Sequence, residues 1–369
     1  MRQLLNTLYV TSPDSYVRRD GTNIVVDVAG KEAGRVPIHN IQQVVCFGNS
    51  GGSPSAMRLC AENGVTMTFM RPNGRFLASV NGETRGNVLL RREQYRIADD
   101  PRRALAISSN MVRGKIVNCR AVLRKGMSNH PDRVDADAMA VAIGRLSDSI
   151  SQAASAESAS ELRGIEGDAA KVYFGALNSL ILQNRAAFFM HERTRRPPRD
   201  RFNALLSFLY SMLTNDVRSA LEASGLDPYV GFLHTDRPGR PSLALDVMEE
   251  MRPVADRLAL RLVNLRLLDP EGFIVEEGGA VRMDDDTRAT VIREWQGMKS
   301  ATAEHPFLGE SIQTGMVPFA QAMLLAKCVR GDIDGYPPFV LRRRSSDGPG
   351  DVRRPNRRRG RPPQAEARR

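Results

Sequence analysis

The chain has 369 residues, 41% hydrophobic and 26% charged, which is enough length for two domains and enough apolar content to fill ordinary cores. No stretch approaches the about 18 consecutive apolar residues of a membrane span, and the opening MRQLLNTLYVTSPDSYV lacks the apolar core of a signal peptide. A soluble, cytoplasmic protein with no membrane role is expected, and the distribution of its net charge of +11 matters more than its size, since most of it lies in the last thirty residues.

Residues 1–95 read as strands. TLYVTS, TNIVVDVAG, GRVPIHNIQQVVCFG, VTMTFMRPNG and RFLASVNG are rich in β-branched and aromatic residues, and RRDGTN and FGNSGG punctuate them. Asp20-Gly21 and Asn73-Gly74 are short-turn signals, the second placed as in a hairpin. One helix, SAMRLCAEN (55–63), interrupts the strands before Gly64. From Asp99 the pattern turns helical. Asp100 is placed as N-cap, Pro101 at the first helical position and Gly126 past the end of a long helix. Further helices are expected at about 134–157, 159–190, 202–224, 243–265, 285–300 and 311–330, with one short hairpin around 272–283. The fold class is α+β multidomain: a small N-terminal β-sheet domain (1–98), a large all-α catalytic domain (99–341) and an Arg-rich tail (342–369). The cysteines (Cys46, Cys60, Cys119, Cys328) are widely spaced, which argues against a disulfide framework or zinc site and favours buried free thiols.

Two places in the helical half carry acids where apolar residues are expected. In ELRGIEGDAAKVYFGALNSLI the apolar stripe runs through Leu162, Ile165, Ala169, Val172, Tyr173 and Leu177, and Glu166 lies on it. A carboxylate there needs either a partner, such as Arg163 or Lys171, or a function. The helix alone leaves both open. The second place is GFLHTDRPGRPSLALDVMEE (231–250), where a loop with Pro238, Gly239 and Pro241 separates His234 from a helix carrying Asp246, Glu249 and Glu250. Asp246 and Glu249 are three apart and share a face, whereas Glu250 is offset and is expected at the surface or in a salt bridge. One imidazole with helix-borne carboxylates suits Mg²⁺ or Mn²⁺. His130, His191 and His305 have no comparable neighbours and read as structural or exposed. HERTRRPPRDR (191–201) reads as an exposed basic loop, so Arg193, Arg195, Arg196 and Arg199 are candidate DNA contacts; an ordinary solvated loop is the alternative. Arg237 and Arg240 flank His234 and are suited to gripping phosphates.

The order of the β domain, the helical domain, IEGDAAKVYF, FNALLSFLYSML, GFLHTDRPGRPSLALDVMEEMRP and SIQTGMVPFAQAMLLAKCVRGDIDGYPPF resembles the CRISPR-associated endonuclease and integrase of spacer acquisition, the Cas family numbered one. NTLYVTSPDSYVRRDG and DGYPPF resemble its type I-C-like subgroup. The resemblance covers roughly residues 3–341 and implies that Glu166, His234 and Glu249 hold Mg²⁺ or Mn²⁺. Asp246 matches a further functionally important acid, and sequence leaves open whether Asp246 or Glu249 is the third ligand. The implied reaction is attack of a captured fragment's 3′-hydroxyl on repeat phosphodiesters, with water giving hydrolysis instead. The implied partners are double-stranded DNA fragments and the repeat array, a second copy joined through the β domains, and the small ferredoxin-like Cas partner numbered two, forming a hetero-hexamer. A structure-specific metal-dependent nuclease and a non-catalytic DNA-binding assembly protein remain alternatives.

The tail falls outside the resemblance. Residues 340–369 carry eleven Arg against Asp347, Asp351 and Glu366, with almost no apolar side chains, so the segment is expected to be disordered. It is either a solubilising extension or an electrostatic arm. Each phosphate that the arm neutralises adds about 0.9 to the slope of log affinity against log salt. Deleting residues 342–369 should therefore weaken binding to any duplex and flatten that slope by a few units, as titrations at several salt concentrations would measure. Equal slopes would leave only the solubilising role.

Overall fold

A computed structural model describes residues 7–12, 14–41, 43–72, 76–82 and 88–341. The Asn73-Gly74 turn and the Arg-rich tail lie outside the described residues. The strands β1 (Thr7–Val10), β2 (Ser15–Asp20), β3 (Asn23–Val28), β4 (Lys31–Pro37), β5 (Gln43–Phe47) and β6 (Gly51–Gly52) precede helix α1 (Pro54–Glu62), and β7 (Thr66–Met70) and β8 (Phe76–Val80) follow it. They form two four-stranded sheets, ordered β1-β5-β7-β8 and β4-β3-β2-β6. The expected Asp20-Gly21 turn joins β2 to β3, with Asp20 opposite Asn23 and Gly21 at φ +60°. Val17 and Ile24 from one sheet, Val44, Cys46 and Met67 from the other, and Leu59 and Cys60 of α1 make a shared core.

The second half is helical: α2 (Val88–Ala98), α3 (Pro101–Asn129), α4 (Ala136–Ser155), α5 (Ala159–Leu177), α6 (Arg185–Phe188), α7 (Arg201–Ala223), α8 (Ser242–Met248) and α9 (Arg252–Asn264), then α10 (Asp285–Ser300) and α11 (Val317–Arg330). Two hairpins interrupt it: β9 (Phe273–Val275) with β10 (Val281–Met283), and β11 (Thr302–His305) with β12 (Glu310–Gln313). Val45 and Phe47 of β5 and Met70 of β7 belong to the helical core, so the far face of the β1-β5-β7-β8 sheet docks on the helices, with Phe47 against Phe208. Cys46, Cys60 and Cys119 are buried free thiols and Cys328 is half-buried. No described helix is long and apolar enough to cross a membrane.

Several expected boundaries move. Helix α2 occupies the end of the stretch read as strands; Leu90, Gln94 and Ile97 bury its inner face. The Asp100 cap holds as expected, its side chain accepting from the N–H groups of Arg102 and Arg103. Helix α3 nevertheless runs past Gly126 to Asn129. Gly126 is there for clearance, since a Cβ would lie 2.5 Å from Leu180 Cδ2. The expected helix over 243–265 is broken by a 3-10 turn, Glu249–Met251, between α8 and α9, with Pro253 in the first turn of α9. The β11–β12 hairpin, absent from the sequence expectation, delays α11 to Val317, because two strands of four residues alternate too briefly to register.

The segment after α11 closes the helical core. Asn118 of α3 is fully buried and donates to the carbonyls of Glu250 and Phe339 at 2.7 and 2.8 Å, while its Oδ1 accepts from Leu341 N–H at 2.7 Å. Asn118→Ala would strand three backbone groups, and an unsatisfied buried group costs about 1–3 kcal/mol. A loss of about 3 kcal/mol in urea denaturation is expected; a change below ~1 kcal/mol would show that solvent reaches those groups.

Candidate active site

The site is assembled from α3, α5, the segment before α8 and the 3-10 turn after it. Glu166 keeps the position on α5 that its stripe implies, half-buried and facing α3. What meets it is neither Arg163 nor Lys171. Lys115 of α3, only 5% exposed, contacts Glu166 Oε1 and lies 2.7 Å from Glu249 Oε2. Arg163 instead donates to the Leu233 carbonyl at 3.0 Å. Glu249, 3% exposed, also meets Arg252 Nη1 at 2.9 Å. Burial alone would raise the Glu249 carboxyl, but Arg252 and Lys115 outweigh it and hold the group well below the usual carboxylate range. For Lys115 burial pulls downward, and Glu249 and Glu166 reverse it to a net rise.

Asp246 organises the imidazole. Its Oδ2 accepts from the N–H groups of Phe232 and Leu233 at 2.7 and 3.0 Å, and its Oδ1 from His234 N–H at 3.0 Å. His234 Nδ1 lies 2.6 Å from the same Oδ1. A carboxylate there holds the proton on Nδ1 and leaves the Nε2 lone pair for another partner. Gly231 permits this wrap, because a Cβ would lie 2.8 Å from Asp246 Oδ2 and 3.0 Å from the Ser242 backbone. His234 is also within electrostatic range of Glu249. A cleft of about 510 Å³ opens beside it, lined in part by Arg163, Tyr95 and Asp99.

The structure therefore brings Glu166 and Glu249 onto one ammonium and pairs His234 with Asp246 within electrostatic range of Glu249. Among the described residues no three His, Cys, Asp or Glu side chains stand close enough to hold a metal ion. The donor chemistry nonetheless fits a hard cation: two carboxylates already share one positive charge, and the buried Glu249 Oε2 meets Lys115 Nζ at 2.7 Å. Lys115 and Arg252 escaped the sequence reading, although Lys115 sits among Met111, Val112, Ile116 and Cys119 on a buried stripe, the same signal that exposed Glu166.

Glu250 corrects an expectation. It is neither at the surface nor in a salt bridge but fully buried, accepting from Tyr336 O–H at 2.6 Å, Gln321 Nε2 at 2.7 Å and Phe339 N–H at 2.9 Å. Burial pushes its carboxyl up to about 8, against the pull of those donors. The arginines also divide. Arg193 is half-buried, donates to Asn203 Oδ1 at 2.7 Å and stacks on Tyr210, so it is committed inward. Arg195, Arg196, Arg199 and Arg237 are exposed and Arg240 is half-buried. Burial, then Arg237 and also Arg196 lower Arg240, against the pull of Asp246.

Behind Glu249, Arg252 stacks on Tyr210, whose hydroxyl donates to Asp256 Oδ1 at 2.6 Å; Tyr173, on the Glu166 helix, donates to Asp256 Oδ2 at 2.9 Å. Burial raises Asp256 to about 6, against those hydrogen bonds. The folded state then holds a proton that the unfolded chain releases near pH 4, so this group's contribution falls as pH rises from about 4 through about 6. Between pH 4 and 7 the stability gap separating wild type from Asp256→Asn should change by roughly 2 kcal/mol, the wild type losing ground at the higher pH. Urea titrations across that range would read it, and parallel curves would contradict the raised value.

Comparison with known proteins places these features. The profile of the family described as CRISPR associated protein Cas1 matches residues 8–297. The chain is 49% identical over 344 residues to CRISPR-associated endonuclease Cas1 2 of Rhodospirillum rubrum, covering 92% of this chain and 99% of that protein. Its fold is similar to a casposase bound to integration product, with TM-score 0.78 and 20% identity over 90% of this chain and 93% of that one. It is also similar to a chain of a Cas6-RT-Cas1–Cas2 complex, with TM-score 0.77 and 21% identity over 93% of this chain and 36% of that one. At such identities the last two are likenesses of fold.

Proposed function

Because this chain belongs to the CRISPR-associated Cas1 family, we propose that it is a metal-dependent DNA endonuclease and integrase that inserts captured DNA fragments into a repeat array as new spacers. The observation that carries the chemistry is the pair of carboxylates, Glu166 and Glu249, drawn from separate elements onto one cation beside an imidazole oriented by Asp246. Glu166, Glu249 and His234 Nε2 are the ligands in this reading. Asp246 is the positioning acid, since all its contacts run to His234 and the two residues before it.

A bound Mg²⁺ or Mn²⁺ supplies Lewis-acid polarisation of the scissile phosphate and neutralises developing charge. The chain's own work is placement. Arg237, Arg240 and Arg196 hold phosphates beside His234, and the adjoining cleft receives a strand end. The fragment's 3′-hydroxyl loses its proton as its oxygen bonds to phosphorus, and the repeat strand's 3′-oxygen leaves and takes up a proton. No protein nucleophile is needed. Water in place of the hydroxyl gives cleavage.

The Cas1–Cas2 association of a structural neighbour supports a Cas2 partner; in this reading that partner is the small ferredoxin-like one, in a hetero-hexamer built from homodimers of this chain. The outer strand β8 exposes Phe76 and Leu77, surface suited to a second copy. The NTLYVTSPDSYVRRDG and DGYPPF stretches support a type I-C-like placement.

Purified protein given a fragment with a free 3′-end and a repeat-bearing plasmid should join them in Mn²⁺ or Mg²⁺ and not in EDTA. Glu166→Ala should abolish joining while DNA retention and melting temperature stay near wild type, and Asp246→Asn should lower it about 10–100-fold. Cleavage without joining would favour the structure-specific nuclease, and joining that survives EDTA would reject the metal.

A further inference from the structure

The cation shared by Glu166 and Glu249 belongs to the chain itself. Two features set Lys115 apart from an ordinary structural ion pair. Glu249 already has a partner in Arg252 at 2.9 Å, so its charge is compensated without Lys115. Its Oε2 nevertheless takes a second cation, with Lys115 Nζ 2.7 Å away. The Glu166 side chain remains 24% exposed, so the shared position is reachable from solvent on that side.

We propose that Lys115 is an internal counter-cation, holding Glu166 and Glu249 together in the ion-free protein, and that a divalent ion must displace it to bind. The inference rests on the reading of those two acids as ligands. Two carboxylates facing one another in a low-dielectric site repel, and an ammonium between them offsets the repulsion. The same ammonium competes with an incoming ion, because the ion must separate it from both acids. A lysine suits the task, being a compact charge on a flexible stem that can withdraw. Lys115 is a positioning residue in this account. It also explains why the three ligands do not already stand at metal-binding separation.

The test is Mn²⁺ calorimetry on the full chain, with melting temperatures recorded in EDTA and in Mn²⁺. Lys115→Met and Lys115→Gln should bind Mn²⁺ about tenfold tighter or more, the loss of an adjacent unit charge being worth at least about 1.4 kcal/mol in a buried site. Both should melt below wild type in EDTA and gain more from Mn²⁺. Lys115→Arg, which keeps the charge, should bind as weakly as wild type. Unchanged or weaker binding by both neutral variants, or tight binding by Lys115→Arg, would overturn the counter-cation. Glu166→Gln separates this from failure of the underlying reading. If it binds Mn²⁺ as wild type does, or if no form binds, the ligand assignment falls and the counter-cation with it. If Glu166→Gln loses binding while Lys115→Met and Lys115→Gln bind no tighter than wild type, only the counter-cation falls.

Discussion

One positive charge held between carboxylates from two separate elements is the constraint around which the helical half is arranged. Glu166 reaches it from α5, Glu249 from the 3-10 turn and Lys115 from α3. Unpaired, such charges would be costly in this interior, because an effective dielectric constant near 20 already makes a contact at 4 Å worth about 4 kcal/mol. The pairing is therefore a reason for these three elements to meet where they do. Two acids and two cations, Lys115 and Arg252, share the site, so an incoming cation has to replace one of the chain's own.

Two buried networks hold that cluster in place. On one side Arg252 braces Glu249 and leans on Tyr210, which with Tyr173 grips Asp256. Tyr173 shares α5 with Glu166, so the same carboxylate ties both acid-bearing elements to α7. On the other side Glu250 binds Gln321, Tyr336 and Phe339, fastening the turn to α11 and the closing segment. Gly114 lets that segment approach α3, since a Cβ there would lie 2.6 Å from Pro338 Cβ. Neighbouring acids thus take opposite tasks, Glu249 facing the cation and Glu250 the scaffold. The 3-10 turn separates them.

Much of this was legible in the sequence. The strand runs, the Asp20-Gly21 turn and the Asp100-Pro101 helix start carry local signals, and each appears where those signals put it. Glu166 stood out because an acid interrupts an apolar stripe, and Lys115 carries the same signal with opposite sign. The remainder depends on partners far along the chain. Tyr336 and Gln321, which bury Glu250, lie some 70 to 90 residues away, and no local pattern announces them. Arg193 reads like its neighbours in the basic loop, yet Asn203 and Tyr210 turn it inward. The family resemblance named Glu166, His234 and Glu249; geometry added the ammonium between the acids and the grip of Asp246 on the imidazole.

The central claim is that the position between Glu166 and Glu249, beside His234 Nε2, is a divalent-cation position. Diffraction from crystals of this chain soaked in Mn²⁺, with data on both sides of the manganese edge, addresses it directly. The account predicts one anomalous peak within bonding distance of Glu166, Glu249 and His234 Nε2, with the Lys115 side chain moved away from both acids. A peak elsewhere, or none while Lys115 still bridges the two carboxylates at saturating Mn²⁺, would contradict it.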